Sequence, residues 1–186
     1  MQAVQLDRNL LELFHTLFSD VKNKVQTDAK VHSELYKAVG DIPIHLLLAD
    51  DDDDDYDFLL DAMHAVMPNV NISRAKDGFE LFALLKKSGS NLPSLIFLDL
   101  NMPRKNGFEC LQILKNSKEW KALPVIIYST SANLDEIENT YENGANLYIQ
   151  KPSSFSGIKS VIRKVFSLTL QDLSLPPLRE NYFLTA

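Results

Sequence analysis

Six consecutive aspartates, Asp50 to Asp55, directly follow the apolar run Ile44-His45-Leu46-Leu47-Leu48-Ala49. Carboxylates so crowded repel one another by roughly 4 kcal/mol per pair at about 4 Å, for an effective dielectric near 20. Some must take up protons, or a cation must hold them together. A hard cation with oxygen ligands, Mg2+ above all, is the natural solution. The competing reading is a solvated acidic loop, which many charge runs are. Further along, Asp99 follows Leu95-Ile96-Phe97-Leu98, Ser129-Thr130 follows Val125-Ile126-Ile127-Tyr128, and Lys151-Pro152 follows Tyr148-Ile149-Gln150. Carboxylates, a hydroxyl and an ammonium are the groups needed to hold a cation and an anionic phosphoryl group together.

These residues could act together only if the elements in front of them end at one place. From Asp41 onward, short apolar runs alternate with amphipathic ones. Strands are expected at 42–49, 70–73, 95–98, 125–128 and 147–149, and helices near 56–66, 78–87, 107–116, 134–143 and 156–168. The first, third and fourth strands are nearly continuous apolar runs, as strands covered on both faces should be. Five strand–helix pairs imply an α/β fold, a five-stranded parallel sheet between helices with right-handed crossovers. In a doubly wound sheet, ligands bind beyond the carboxyl ends of the strands, where strand order reverses. Each polar strand exit taken alone is weak evidence, but the complementary set is strong. An unpaired carboxylate at a buried strand end is costly, and Asp99 is poorly placed to cap a helix that starts only near Gly107. Lys151 alone reads as a surface lysine; opposite an acidic site it becomes a counter-charge.

The ordered set Leu48-Ala49-Asp50-Asp51, Leu98-Asp99-Leu100-Asn101-Met102-Pro103 with Gly107, Ser129-Thr130 and Lys151-Pro152 resembles the receiver domain of two-component response regulators. The likeness spans about residues 42–168. It implies a flavodoxin-like sheet of order 2-1-3-4-5, an order the general fold rule itself illustrates with a chemotaxis receiver. It implies Asp99 as phosphoacceptor, attacking a phosphohistidine to give an acyl phosphate. Asp51 would bind Mg2+ directly, Asp50 through water or as a supporting partner, and Asn101 through its backbone carbonyl. Lys151 would pair with the phosphoryl group and Ser129 hydrogen-bond it, while Tyr148 matches the aromatic that turns inward on activation. The partners implied are a histidine kinase or histidine phosphotransfer protein and a downstream protein target. Such a protein is not an enzyme beyond self-phosphorylation and self-dephosphorylation. Two features depart from the pattern: Thr130, where a very small residue is usual, and the segment before residue 41.

Within the aspartate run, Asp50 and Asp51 are assigned to the site, Asp52 and Asp53 to its rim, and Asp54 and Asp55 to the start of the first helix, where the dipole favours them. Tyr128 reads best as a core aromatic, and Tyr148 has that reading too. Alternatives remain. A haloacid-dehalogenase-like Mg2+-dependent phosphatase needs an acid two residues after its nucleophile, where this chain has Asn101. A flavin- or nucleotide-binding module lacks a Gly-rich loop after the first strand. A receiver-like binding module that is never phosphorylated would not need the intact set.

The 186 residues are 45% hydrophobic, enough for one domain with a real core, since about 150 residues bury close to 70% of their unfolded surface. The expected organisation is an N-terminal helical extension (1–40), the receiver (41–169) and a C-terminal tail (170–186). Leu10, Leu11, Phe14, Leu17, Phe18, Val21 and Val25 form one helical stripe, a candidate homodimer surface or a face packed on the receiver. Five basic and five acidic residues leave 1–40 neutral, so the whole net charge of −6 belongs to the remainder. That charge argues against a nucleic-acid surface. One cysteine excludes a disulfide framework. No apolar stretch approaches a membrane span and no signal pattern opens the chain, so a soluble cytoplasmic protein is expected. The tail, with Pro176-Pro177 and Tyr182-Phe183, is expected to lie extended on the domain surface or to dock on another subunit.

Overall fold

The structure is a computed structural model and describes residues 44–172 and 178–185. The N-terminal extension, with any dimer it forms, lies outside the described residues, as does 173–177 in the tail. Strands and helices alternate: β1 (His45–Ala49), α1 (Asp53–Val66), β2 (Asn71–Ala75), α2 (Gly78–Ser88), β3 (Leu95–Leu98), α3 (Gly107–Asn116), β4 (Val125–Ser129), α4 (Leu134–Glu142), β5 (Leu147–Gln150), α5 (Phe155–Asp172) and β6 (Phe183–Leu184). All pairings are parallel and the sheet order is β2-β1-β3-β4-β5-β6.

Period-two alternation splits the strands' side chains between two cores. Leu46, Leu48, Phe97, Ile126 and Ile149 pack with α1 and α5, through Leu59, Met63, Ile162 and Val165. Leu47, Ile96, Leu98, Ile127 and Tyr148 pack on the other face with Leu81, Leu85, Leu111 and Leu114 of α2 and α3. Because both faces are covered, the central strands are apolar along most of their length, His45 at the start of β1 and Tyr128 near the end of β4 aside, and charged side chains appear only where they exit. Four helices begin on an Asp or Asn side chain that accepts an early backbone N–H: Asp52 for α1, Asp77 for α2, Asn106 for α3 and Asn133 for α4. Such caps stabilise by about 1 kcal/mol each. Asp52 therefore starts α1 three residues before the expected Tyr56.

The expected five-stranded sheet is corrected by one strand. The chain after 177 returns as a short turn, Arg179–Asn181, and then β6 pairs with the open edge of β5, Tyr148 opposite Phe183 and Ile149 opposite Leu184. Tyr182 anchors it: its ring is buried, its hydroxyl donates to Thr140 Oγ1 at 2.9 Å, and it meets the rings of Tyr141 and Tyr148 edge-on. A two-residue strand has no period to detect, which is why the sequence pattern missed it. The described tail thus lies along its own domain.

Behind the sheet, Lys115 of α3 points inward, donating to Leu123 O at 2.9 Å and Asn146 Oδ1 at 3.0 Å. Burial pulls its pKa down to about 8. An unfolded lysine titrates near 10.4, so between about pH 8 and 10 the unfolded chain holds more protons at this site and its contribution to stability rises with pH. The buried Cys110 thiol, raised to about 11, pulls the other way over this window, so the expected result is a difference. From pH 8 to pH 9.5, denaturation midpoints should fall more steeply in Lys115→Met than in the natural chain. Equal slopes in both would rule this out.

Candidate functional site

The sheet ladder continues past the strand ends and lines up the exits. Asp50 N donates to Ala75 O and Asp99 N to Ala49 O, each at 2.9 Å, and Lys151 N donates to Ser129 O at 2.7 Å. Asp50, Asp99 and Lys151 are thereby set on one rim, at the ends of β1, β3 and β5, with Ser129 of β4 between the last two. Carboxylate oxygens of Asp50, Asp51 and Asp99 all lie within 4.8 Å of one another. Asp50 and Asp99 are buried, whereas Asp51 is exposed. Lys151 Nζ, whose side chain is 7% exposed, reaches Asp50 Oδ2 at 2.9 Å and Asp99 Oδ2 at 3.1 Å. The remaining oxygens accept from backbone: Asp50 Oδ1 from Asp52 N at 3.0 Å, and Asp99 Oδ1 from Asn101 N at 3.2 Å.

Ser129 and Tyr148 stand beside this cluster and meet at the β4–α4 loop. Ser129 is fully buried and its Oγ accepts from Ser131 N at 3.3 Å. Tyr148, also fully buried, donates its hydroxyl to Ser131 O at 3.1 Å. Thr130, between them in sequence, is exposed. Tyr128 is a core aromatic, edge-on to Phe97, with Lys151 Nζ 5.5 Å from its ring centre.

Burial raises the Asp50 pKa, opposed by the hydrogen bond and charge of Lys151. Burial also works against charge on Lys151, yet its pKa ends above the ordinary value. The hydrogen bond it donates to Asp55, the charge of Asp99 and the pairing with Asp50 outweigh desolvation. The ammonium is thus kept charged while carboxylates outnumber it. That imbalance, with donors that are all oxygen, fits a hard divalent cation, which would neutralise the excess. Cys110 offers no rival chemistry, because burial pushes its thiol up to about 11.

The division expected within the aspartate run changes. Asp52 caps α1, Asp53 pairs with Arg74 at 2.5 Å and Lys76 at 2.8 Å, and Asp55 is more than a helix-start charge. Its Oδ2 lies 2.7 Å from Lys151 Nζ. The first turn of α1 swings its third residue back over the exit of β5, which sequence neighbours alone do not reveal. Arg74 was missed as well. From the end of β2 it donates to Asp50 O at 3.1 Å and Asp52 O at 2.8 Å, and stacks 4.5 Å from the Tyr56 ring centre, clamping the acidic loop's backbone. An arginine three residues before the Asp77 cap, near the end of a strand beside six aspartates, was the available signal.

A parallel α/β sheet with paired acids, an aspartate and a lysine at the exits of β1, β3 and β5 defines a class of signalling module. The family model of the response regulator receiver domain matches residues 46–163, and the chain belongs to that family. Response regulator Rcp1 of Synechocystis is 29% identical over 138 residues, covering 72% of this chain and 94% of the relative. The crystal structure of the phosphorylated cyanobacterial phytochrome response regulator RcpA superposes with a TM-score of 0.61 at 29% identity, covering 74% of this chain and all of that one. The Mn2+-bound form of response regulator Rcp1 gives 0.62 at 28% identity, covering 73% of this chain and all of that one. The chain is accordingly a receiver with a phosphoacceptor signalling role, and neither the phosphatase reading nor that of a receiver-like binding module that is not phosphorylated is favoured. Receiver domains are phosphorylated by histidine kinases or phosphotransfer proteins. Among the described residues, no helix is long and apolar enough to cross a membrane.

Proposed function

We infer that Asp99 is the phosphoacceptor and that residues 41–169 form the working unit, completed by the tail strand. The observation that carries this is the buried Asp99 carboxylate, held by Lys151 and Asn101 N beside Asp50 and the exposed Asp51. In transfer, an Asp99 carboxylate oxygen forms a bond to phosphorus as the phosphorus–nitrogen bond of a phosphohistidine breaks and the imidazole keeps the electron pair. The acceptor must lie in line, and the negative charge spreading over the phosphoryl oxygens must be countered. Lys151 supplies a positive charge at the right strand exit. Asp51, Asp50, Asp99 and the Asn101 carbonyl would hold Mg2+, whose chemistry is to neutralise phosphoryl charge; the Mn2+-bound relative supports a divalent ion. Ser129 would hydrogen-bond the phosphoryl group, drawing the β4–α4 loop and Tyr148 with it, a local charge event biasing a two-state loop.

The donor is a histidine kinase or a histidine phosphotransfer protein in the cytoplasm, and output runs through protein contacts. Small phosphoryl donors would also serve, giving slow self-phosphorylation. Incubation with acetyl phosphate and Mg2+ should add the mass of one phosphoryl group, and EDTA should prevent it; no added mass at saturating donor would sink the reading. Because Asp51 is the exposed carboxylate of the three, Asp51→Asn should weaken Mg2+ binding by about tenfold or more, as lost metal partners do. Unchanged Mg2+ affinity by titration calorimetry would remove Asp51 from the metal site.

A further inference from the structure

Lys151 has three N–H donors, and three carboxylates face them: Asp55 at 2.7 Å, Asp50 at 2.9 Å and Asp99 at 3.1 Å. No donor is left over for an incoming phosphoryl group. One bond must be given up when Asp99 is phosphorylated. The Asp99 carboxylate itself becomes the acyl phosphate, so for Lys151 to turn onto the phosphoryl oxygens the bond to Asp50 or to Asp55 must yield. The Asp50 side chain is 1% exposed, and a carboxylate that loses its partner there has little water to replace it. The Asp55 side chain is 38% exposed, so water can take over its hydrogen bond. Asp55 also sits on the first turn of a helix rather than on the sheet, where small rotations of one side chain suffice to release the contact.

We propose that Asp55 is a positioning residue that holds Lys151 in the unphosphorylated state and competes with the phosphoryl group for it. This rests on Lys151 being the phosphoryl partner. Asp55 opposes phosphorylation in two ways: it occupies the donor the phosphoryl group needs, and its charge repels that group. It thereby sets how readily the receiver accepts and keeps its phosphoryl group, a rate determinant separate from Asp99 and the metal ligands.

The test uses the full chain with Mg2+, measuring beryllofluoride affinity and the rate of phosphoryl uptake from acetyl phosphate. Asp55→Asn should bind beryllofluoride more tightly and label faster, by about two- to fivefold, the worth of a partly exposed ion pair. Asp54→Asn removes the same charge from the same helix turn, and Asp54 has no contact with Lys151. It should stay within about 1.5-fold of the natural chain, since a helix-terminus charge that does not face the site acts only weakly. Asp55→Glu, which restores the carboxylate, should return toward the natural values. A gain in Asp55→Asn no larger than in Asp54→Asn, or a loss of uptake, overturns the proposal. If the natural chain itself neither labels nor binds beryllofluoride, the phosphoacceptor reading falls and this inference with it. If it does both and only the Asp55 effect is missing, the inference alone falls.

Discussion

Asp99→Asn should abolish phosphoryl uptake and, in EDTA, raise the thermal midpoint. The two effects have one electrostatic origin. Four carboxylates, Asp50, Asp51, Asp55 and Asp99, gather around the single ammonium of Lys151, leaving a local charge of −3. Asp99 lies within 4.8 Å of both Asp50 and Asp51 and 3.1 Å from Lys151. At an effective dielectric near 20, two repulsions of roughly 3.5 kcal/mol each exceed one attraction of roughly 5 kcal/mol. Neutralising Asp99 should therefore stabilise the fold by roughly 1–2 kcal/mol, or roughly 3 °C in midpoint per kcal/mol. The amide keeps one acceptor oxygen for Lys151 and puts an NH2 where Oδ1 accepted from Asn101 N, a loss offset by the Asp50 and Asp51 carboxylates that this NH2 can reach. Saturating Mg2+ should reverse the ranking, because an ion that binds only the folded chain stabilises the stronger binder more. Intact mass after acetyl phosphate and melting with and without Mg2+ check both halves. Labelling of Asp99→Asn equal to the natural chain would reassign the acceptor; a lower midpoint in EDTA would mean that the carboxylate serves folding instead.

Much of this arrangement is legible in the sequence because the central strands are covered on both faces. Leu95 to Leu98 are all buried, so the first polar residue after them, Asp99, marks the strand exit without ambiguity. The same holds for Ala49 before Asp50. β2 is less apolar, with Asn71 exposed and Ser73 and Arg74 half-buried, and there the expected boundary fell two residues short of Ala75. What the sequence hides are contacts set by three-dimensional return. Asp55 meets Lys151 across 96 residues, and Tyr182 meets Thr140 across 42. Neither is announced by local pattern: Asp55 looks like any acidic residue in a first helical turn, and Tyr182 sits in a polar tail after two prolines. Within the Asp run the expected rim and cap exchange members: Asp52, expected at the rim, caps the helix, and the helix turn brings Asp55, expected at the cap, against Lys151.

Gly107→Ala should be among the most damaging single-methyl changes in the described structure, and its damage should reach Asp99. Gly107 opens α3 after the Asn106 cap, and its N–H donates to Leu100 O at 3.1 Å. A Cβ there would collide with the carbonyl oxygen of Asp99 and stand 2.8 Å from Asp99 C and Leu100 Cα. These are backbone atoms, so no side chain can rotate away. Only glycine permits so close an approach. Relief requires α3 to lift from the sheet or the β3–α3 loop to move, and that loop begins at the acceptor. Forced overpacking costs about 1–3 kcal/mol or more, and rigid backbone on both sides places this site at the upper end. A misplacement of about 1 Å can cost on the order of a hundredfold in a step that depends on alignment. Gly144→Ala provides the contrast. Its φ of +82° makes alanine strained, but the nearest atom, Cγ of Lys115, would be 3.6 Å away. That substitution should lower stability by roughly 1 kcal/mol through backbone strain and leave phosphoryl uptake unchanged. Denaturation midpoints and initial labelling rates for the two variants separate a general loss of stability from displacement of the acceptor. If Gly107→Ala loses stability yet labels at the natural rate per folded molecule, the loop yields away from Asp99, and α3 does not set the acceptor's position.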